Sequence, residues 1–325
     1  MNKKLVNVNN IDALKHHNIN KIVVAIGVFD GVHRGHQKLI QTLLSMAKKH
    51  NATAVVMTFY PHPRAVLSTK KTPKLIISSE DRKLELLNSY GINTVVTVPF
   101  DHHFAQLSPD EFIQDCLFSY NVKLSGLCVG SKWRFGMQGK GTIADLKRFA
   151  DNGHFEFEAQ QELYYKNTEI SSSEIRRLIP NGELDLVAKL LGRPYELSGK
   201  VIKGFKIAST QLGFATANID VENSIIPPNG VYAARAVLKT ENGNDEYYAA
   251  AVNIGVAPTF NLLTDNNARV EAHLLNFNDH DLYNNNLRVE LLSYIREERT
   301  FADTKHLKQQ IALDIKKTIE KYNQL

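Results

Sequence analysis

Two histidines three residues apart close a glycine-containing segment near the start of the chain. The segment reads Gly27-Val28-Phe29-Asp30-Gly31-Val32-His33-Arg34-Gly35-His36. Glycines let a ligand approach the backbone closely, and the N–H groups at the start of a helix form a ready anion site. On such a helix His33 and His36 share one face, where two imidazoles can stabilise charge during in-line displacement at the α-phosphorus of a triphosphate. The pattern predicts nucleotidyl transfer; an accidental surface pair or a metal-binding pair is the alternative.

Two further segments contain side chains suited to the same chemistry. In residues 170–176 (ISSSEIR) the hydroxyls of Ser172 and Ser173 can donate to phosphate oxygens, and Arg176 can neutralise a leaving pyrophosphate. An ordinary N-capped helix is the alternative for this segment. Residues 61–63 (PHP) form a rigid segment after a predicted strand, for which a stiff turn without a ligand is the alternative.

The elements that must position these residues alternate between strand and helix in the first half of the chain. Apolar runs predict buried strands over residues 21–28, 52–59, 93–98 and 124–129. Helical spacing predicts helices over residues 34–50, 79–89, 110–120 and 143–150, the third with Ser108 as its N-cap. This alternation predicts an open, mostly parallel sheet covered by helices, with ligands at the carboxyl ends of its strands.

The pattern changes at Gly192-Arg193-Pro194, which ends a helix predicted over residues 183–191. Strands are predicted beyond it over residues 230–238, 246–254, 270–275 and 287–292. The first two flank Asn242-Gly243, a strong signal for a hairpin turn. A helix over residues 304–322 closes the chain. Short strands followed by one helix predict a small antiparallel barrel.

The composition excludes several classes of protein. A chain of 325 residues with 43% hydrophobic and 22% charged residues is typical of a folded protein of two domains. A net charge of +5 without a basic block disfavours a nucleic-acid partner. Cys116 and Cys128 form no CxxC pair, which favours a reducing cytoplasm. The first residues lack the apolar core of a signal peptide, and no apolar run is long enough to span a membrane.

Taken with the histidine motif, several segments resemble the bacterial bifunctional riboflavin kinase/FAD synthetase family. They are residues 58–64 (TFYPHPR), 170–176 (ISSSEIR), 191–195 (LGRPY), 212–218 (LGFATAN) and 271–275 (EAHLL). The resemblance covers nearly the whole chain. It implies a Rossmann-like α/β nucleotidylyltransferase domain over residues 1–185 and a riboflavin-kinase-like β-barrel domain with a terminal helix over residues 186–325.

The resemblance also implies a reaction and a role for each matching residue. In the first domain AMP passes from ATP to FMN, giving FAD and pyrophosphate, with Mg²⁺ as cofactor. His33, His36 and Arg176 are predicted to be catalytic. The predicted phosphate-binding residues are Gly27, Phe29, Asp30, Gly31, Gly35, Ser172 and Ser173, and the predicted flavin-binding residues are Pro61, His62, Trp133 and Phe135. In the second domain Thr216 and Asn218 are predicted to hold Mg²⁺, and Glu271 to act as base for a ribityl hydroxyl.

Residues 129–141 (VGSKWRFGMQGKG) depart from the family pattern VGxDFRFGxxRxG. Lys132 stands in place of the Asp, and Trp133 in place of a Phe. A base in place of an acid can strengthen attraction to the phosphates of FMN or ATP, or can reflect simple solvent exposure. Trp133 can stack on a flavin or adenine ring, or can pack in the core.

The predicted phosphate loop of the kinase domain, residues 204–211 (GFKIASTQ), departs further. Ile207, Ala208 and Ser209 stand where the family has another Gly and an Arg, and Ala215 replaces the Pro of PTAN. A β-branched Ile disfavours the positive φ of a backbone nest around phosphate. The missing guanidinium removes charge stabilisation, for which Lys206 compensates only in part. We therefore predict an FAD synthetase whose riboflavin kinase activity is weak or lost.

Three alternatives stay open at this point. The first is a fully bifunctional enzyme that converts riboflavin to FMN and FMN to FAD. The others are a nucleotidylyltransferase with a different acceptor and a non-catalytic flavin sensor. The predicted partners are the small molecules ATP and FMN, with riboflavin if the kinase is active. The sequence leaves the oligomeric state open, with a homo-oligomer as one alternative.

Overall fold

The chain divides into two units, Met1–Ser172 and Ser173–Leu325. The structure is a computed structural model that describes residues 4–68, 76–202, 216–221, 223–239, 245–256, 268–277, 282 and 285–325. The domain boundary expected from the sequence, between residues 185 and 186, lies further along the chain than this division and stays a prediction.

A six-stranded sheet forms the centre of the first unit. Its strands are β1 (Val6–Val8), β2 (Lys21–Ile26), β3 (Thr53–Tyr60), β4 (Thr94–Pro99), β5 (Lys123–Gly130) and β6 (Glu156–Gln160). They lie in the order β1-β4-β3-β2-β5-β6, and every neighbouring pair is parallel. The predicted Rossmann-like parallel sheet is confirmed.

Helices α1 (Arg34–His50), α3 (Glu80–Ser89), α4 (Pro109–Leu117) and α5 (Ile143–Gly153) cover the two faces of this sheet. The short helix α2 (Pro63–Leu67) has no buried residue. Alternate residues of β2 enter two separate cores. Val24 packs in the core that contains Phe112, and Val23 packs in the core that contains Leu43. Burial on both faces explains why the strand is almost continuously apolar.

Two predicted boundaries in this unit were too long. The first strand ends at Ile26 rather than at residue 28, because the Val28 carbonyl accepts a hydrogen bond from the Thr58 hydroxyl at 3.0 Å instead of pairing in the sheet. The helix predicted over residues 110–120 ends at Leu117, since Phe118 adopts an extended conformation with ψ 136°. Ser108 caps this helix as predicted, in a reciprocal capping box with Glu111.

The order of the strands also shows where a ligand should bind. β2 lies between β3 on one side and β5 on the other, so the chain leaves β2 toward one edge of the sheet and later returns to its other side. In open parallel sheets ligands bind at the carboxyl ends of the strands beside such a reversal. The segment that follows β2 contains the two histidines.

A hairpin of β7 (Tyr164–Tyr165) and β8 (Thr168–Glu169) ends the first unit, and α6 (Ser172–Leu178) and α7 (Leu184–Leu191) follow it. Gly192 ends α7 in the left-handed conformation, with φ 76°, and its N–H donates to the Ala188 carbonyl. This is the C-terminal cap that glycine favours, and it confirms the predicted end of the helix.

The second unit is a closed antiparallel barrel. Its strands are β9 (Tyr195–Ile202), β10 (Ala217–Asp220), β11 (Gly230–Lys239), β12 (Asp245–Val256), β13 (Ala268–Leu274) and β14 (Asn286–Arg296), in the order β10-β13-β12-β11-β14-β9. Inward-facing side chains such as Val252, Val270 and Val289 are fully buried. The predicted small barrel is confirmed, whereas the predicted turn at Asn242-Gly243 lies outside the described residues.

The terminal helix α8 (Thr304–Tyr322) packs against the barrel and confirms the predicted closing helix. Arg296, at the end of β14, forms a bidentate pair with Asp314 of α8, with Nε–Oδ1 and Nη2–Oδ2 distances of 3.1 and 2.9 Å. Asp314 is only 3% exposed. The pair therefore fixes the helix to the last strand of the barrel.

Candidate active site

The turn between β2 and α1 is buried and strained. Phe29, Gly31 and Val32 have φ values of 54°, 77° and 37°, and Phe29 and Val32 are fully buried. The left-handed region is unfavourable for Phe and more so for a β-branched Val, at a typical cost of about 1–3 kcal/mol per residue. Such strain persists only where the surroundings fix the backbone, and it is concentrated at functional sites.

The two histidines lie against each other directly after this turn. His33 is the N-cap of α1, and its Nδ1 accepts the His36 N–H at 3.3 Å. The two imidazoles stack with their centroids 3.6 Å apart and their planes at 18°. Because Nδ1 of His33 accepts a hydrogen bond, the neutral ring has its proton on Nε2. The structure thus brings the predicted pair together at a helix N-terminus.

Gly35 is required by the position of the His33 ring. A Cβ atom at residue 35 would lie 3.1 Å from both Cε1 and Nδ1 of His33, and 3.3 Å from the Ile170 carbonyl oxygen. The backbone of α1 therefore passes closer to the imidazole than most side chains allow. Gly27, at the other end of the motif, donates its N–H to the Met57 carbonyl at 3.1 Å and extends the pairing with β3.

Asp30 is buried beneath the turn, and its oxygens already have partners. Its carboxylate accepts N–H groups from Ile77 and Ser78, both through Oδ1, at 3.0 and 3.2 Å. Its carbonyl accepts the Ser172 hydroxyl at 3.0 Å. Ser172 thus donates its proton within the protein in this structure, and its role as a phosphate ligand stays a prediction. Both residues brace the turn.

His62, in the segment after β3, lies beside the same turn. Its Nδ1 accepts the Arg64 N–H at 3.1 Å and so caps α2. Its Nε2 lies 3.8 Å from Oδ2 of Asp30. The neighbouring Pro61 is exposed. The predicted flavin-binding segment is thus next to the predicted phosphate-binding turn.

Trp133 and Phe135, the other predicted flavin-binding residues, belong to an aromatic cluster. Their rings stack with centroids 5.1 Å apart and planes at 12°. Phe112 lies 5.2 Å from Phe135 on the core side. Phe135 is only 5% exposed, whereas Trp133 is half-buried. Of the two rings, Trp133 has the more accessible surface for a ligand.

Lys132, which replaces an acid of the family pattern, is exposed and paired with two carboxylates. Its Nζ lies 2.9 Å from Oε2 of Glu169 and 3.5 Å from Oε1 of Glu162. The hydrogen bond with Glu169 is the main reason that the pKa of Lys132 is raised. The neighbouring Ser131 hydroxyl donates to Glu162 at 2.9 Å.

A cavity of about 310 Å³ opens near the carboxyl ends of β1 and β4. Polar residues that follow these strands line it, including Asn9, Asp101 and His103, together with the apolar Met57 and Phe104. Sequence reasoning did not include these residues. Their position directly after two strands of a parallel sheet was the signal that could have found them.

In the second unit the barrel register brings two predicted residues together. Asn218 of β10 pairs directly with Glu271 of β13, and Asn253 of β12 pairs with Glu271 from its other side. Arg269 Nη1 lies 3.4 Å from Oε1 of Glu271. Thr216, directly before β10, is half-buried. Asn253 was not predicted, although it lies opposite Glu271 in the register just as Asn218 does.

The contacts described above do not include the remaining predicted residues. Ser173 is exposed and Arg176 half-buried on α6, in the second unit, and their roles stay predictions. The altered loop, residues 204–211, and Ala215 lie outside the described residues. Within the described ranges no group of three or more His, Cys, Asp or Glu side chains is arranged to hold a metal ion.

Comparison with known proteins gives the family. A model of the FAD synthetase family matches residues 15–174, and a model of the riboflavin kinase family matches residues 191–322. The bifunctional riboflavin kinase/FMN adenylyltransferase of Bacillus subtilis (strain 168) is 37% identical over 94% of both chains. Its counterpart in Escherichia coli (strain K12) is 34% identical over 90% of both. The chain belongs to the bifunctional riboflavin kinase/FMN adenylyltransferase family.

A solved structure supports the two-unit architecture of this family member. It is described as a macrolide-efflux protein from Streptococcus pneumoniae and superposes with a TM-score of 0.78. The alignment has 28% identity and covers 96% of this chain and 98% of that one. In the part of the chain that the structure describes, no helix is both long and apolar enough to cross a membrane.

Membership of the bifunctional family changes one prediction made from the sequence. The comparisons favour the fully bifunctional interpretation over a kinase that is weak or lost, because the riboflavin kinase model matches residues 191–322 and the relatives are named for both activities. The altered residues, including Ile207 and Ala215, lie within this matched range. The prediction of a weak or lost kinase rested on those residues alone, and the match to the riboflavin kinase family is the stronger evidence.

Proposed function

We propose that this protein phosphorylates riboflavin to FMN in its second unit and adenylylates FMN to FAD in its first. The stacked pair of His33 and His36 at the N-terminus of α1 is the observation that supports adenylyl transfer most directly. The names of the relatives support both reactions. Both use ATP, so FMN is the product of one unit and the substrate of the other.

In adenylyl transfer a phosphate oxygen of FMN attacks the α-phosphorus of ATP, and pyrophosphate leaves. That oxygen is already ionised at neutral pH, so catalysis depends on charge stabilisation rather than on a strong base. The Nε2–H of His33 and the ring of His36 donate to oxygens of the α-phosphate. The amides at the start of α1 add further donors. Ser173 and Arg176 stay predicted phosphate ligands.

The turn residues divide into two roles in this proposal. Phe29 and Gly31 are proposed to present backbone to the phosphates, whereas the N–H of Gly27 continues the pairing with β3 and Gly35 gives the His33 ring its space. Asp30 supports the turn from below, since a carboxylate next to a triphosphate would be repelled and its Oδ1 already accepts two backbone N–H groups.

The flavin ring is proposed to bind at the aromatic cluster of the first unit. Pro61 and His62, which directly follow β3, are proposed to contact the flavin as well, and Trp133 offers a ring face for stacking. Phe135 is the buried ring on which Trp133 rests. Phe104 extends the cluster toward the cavity, at 6.0 Å from Phe112. The cavity has the mixed polar and apolar lining that a flavin requires.

In riboflavin phosphorylation Glu271 is proposed to take the proton of the ribityl hydroxyl as its oxygen attacks the γ-phosphorus of ATP, and ADP leaves. The amide oxygen of Asn218 and the hydroxyl of Thr216 are hard oxygen donors, a set that fits Mg²⁺, which often keeps few protein ligands beside substrate phosphates. Bound there, the ion would neutralise charge on the phosphates. Asn253 lies opposite Glu271 in the register, but its side-chain amide donates to Oε1 of Glu298 at 3.3 Å.

We place the protein in the cytoplasm. Cys116 and Cys128 are both free and buried, as expected where disulfides do not form. Burial raises the pKa of Cys116 to about 12 and raises the pKa of Cys128 as well. Both thiols are therefore protonated and unreactive at neutral pH.

Product chromatography tests the proposal. The purified full chain is incubated with ATP and Mg²⁺, in one reaction with riboflavin and in another with FMN. FMN and FAD from riboflavin, and FAD from FMN, are the expected results. FAD from FMN with no product from riboflavin would instead support a disabled kinase. Flavin binding without any product would support a non-catalytic sensor.

A further inference from the structure

Lys83 is a buried cation that the functions proposed above do not use. It lies on α3 and is 4% exposed. Its Nζ lies 2.8 Å from Oε2 of Glu80 and donates to the Thr58 hydroxyl at 3.1 Å. Burial of an ammonium group is costly even when it is paired. A methionine of similar length would fill the same volume without that cost.

The hydrogen bonds of Lys83 lead to the strained turn. Thr58 is fully buried, and its hydroxyl donates its one proton to the Val28 carbonyl at 3.0 Å. The hydroxyl must therefore accept from Lys83, which fixes the direction of the chain of bonds from Lys83 through Thr58 to Val28. Val28 directly precedes Phe29, the first left-handed residue of the turn.

The chain segment around the start of α3 holds the turn at a second place. The N–H groups of Ile77 and Ser78 donate to the Asp30 carboxylate. The side chain of Ile77 also occupies the space beside Gly31, where a Cβ atom would come within 2.8 Å of Cγ2. Residues 77–83 thus fix the backbone on both sides of Phe29. This is the restraint that a strained conformation needs in order to persist.

We propose that Lys83 is a positioning residue for adenylyl transfer: through Thr58 it fixes the Val28 carbonyl, keeps the β2–α1 turn in its left-handed conformation and so holds His33 at the reacting phosphate. This inference rests on the proposed adenylyltransferase function. It adds a role for α3, none of whose residues was among the predicted site residues.

Steady-state kinetics of FAD formation from FMN test this role with Lys83→Met, Thr58→Val and the double variant. Each single change should lower kcat by about 10- to 100-fold, the usual effect of a small displacement of a catalytic group, with a smaller change in the KM for ATP. The kcat of the double variant should lie within about twofold of the kcat of the less active single variant, because both changes break the same chain of hydrogen bonds. Lys147→Met, an exposed lysine on α5, is the matched control and should retain wild-type kcat.

Two readouts separate positioning from a loss of stability. Riboflavin kinase activity, measured on the same preparations, should be unchanged. Nitrogen-15 NMR of the imidazoles should show His33 as the Nε2–H tautomer in the wild type and as a mixture of tautomers in Lys83→Met. A lower unfolding temperature with unchanged kcat and unchanged tautomer would overturn the inference.

The remaining outcomes are also decisive. If the decrease in kcat of the double variant equals the product of the two single decreases, Lys83 and Thr58 act separately, which would contradict the proposal. If Lys83→Met does not fold, Thr58→Val decides alone: a lower kcat supports the proposal and a wild-type kcat overturns it. A wild-type protein that makes no FAD from FMN would remove the proposed function itself, and this inference with it.

Discussion

The imidazoles of His33 and His36 are close enough to act on one phosphate group. Replacement of either by alanine removes a donor for developing charge, so we expect FAD formation from FMN to fall by about 10²- to 10³-fold. FMN formation from riboflavin should not change. His16→Ala, at an exposed position, is the control for histidine loss. An equal fall of both activities would indicate general damage rather than a catalytic role.

The contact between Gly35 and His33 permits a test that separates activity from stability. Gly35→Ala places a methyl group 3.1 Å from the His33 ring, so the ring must move. Alanine also favours a helix more than glycine does. We expect kcat for FAD formation to fall about 10-fold while the unfolding temperature stays equal or rises. Wild-type kcat would show that the position of this ring does not limit the reaction.

At the scale of elements, the first turn of α5 depends on pH. Thr142 donates its N–H and its hydroxyl to the Asp145 carboxylate at 2.9 and 2.7 Å, and these bonds hold the pKa of Asp145 below 3.8. Because the folded pKa is lowered, the stabilisation is present above the unfolded pKa and is lost as the pH falls through the folded value.

Asp145→Ala should therefore lower the free energy of unfolding at neutral pH by about 1 kcal/mol. The difference from the wild type should shrink as the pH falls below 3.8. Urea unfolding of both proteins across this range measures it. Asp151→Ala, near the C-terminus of the same helix, is the control and should be neutral or slightly stabilising. A difference that does not depend on pH would contradict the role of the carboxylate.

The pair of Arg296 and Asp314 makes a second prediction at this scale. Asp314→Asn keeps the size of the side chain and leaves Arg296 without its ionic partner on α8. Loss of one member of a buried pair typically costs about 3 kcal/mol. We expect the second unit to unfold at lower denaturant concentration, as followed by riboflavin kinase activity. An unchanged midpoint would show that apolar packing alone holds α8.

The local spacing of apolar residues in the sequence predicted some elements of this protein and failed to predict others, in each case for a physical reason. The bounds of α1 and α8 agree with their predictions because their apolar spacing is long and regular. β1 was missed because it has only three residues, and β6 because its sequence EFEAQ alternates polar side chains on a half-buried edge strand.

The candidate site shows the same division. The histidine pair could be predicted because both members lie in one short motif whose backbone the motif itself determines. Lys83 could not be found this way, because its position depends on packing between elements far apart in sequence, here α3 against β3. The residues around the cavity follow two strands of the sheet, but one of those strands, β1, was itself missed in the sequence.

At the scale of the whole molecule, the two reactions proposed for the two units predict complementation. Glu271→Gln should stop FMN formation and leave FAD formation from FMN, and His36→Ala should do the reverse. A mixture of the two variants should make FAD from riboflavin, because FMN released by one protein is a substrate for the other. Chromatography of the mixture and of each variant alone measures this. No FAD from the mixture, with each single activity intact, would mean that FMN is not released.

The strand order of the barrel has a consequence for the order of folding during synthesis. The first barrel strand, β9, pairs with the last, β14, with Glu196 opposite Glu290, whereas the parallel sheet is complete once β6 has ended at Gln160. Pairing across so long a stretch of chain is slow, and it cannot begin before the last strand leaves the ribosome. The unit proposed to use FMN can therefore reach its native structure while the barrel proposed to make FMN is still unclosed.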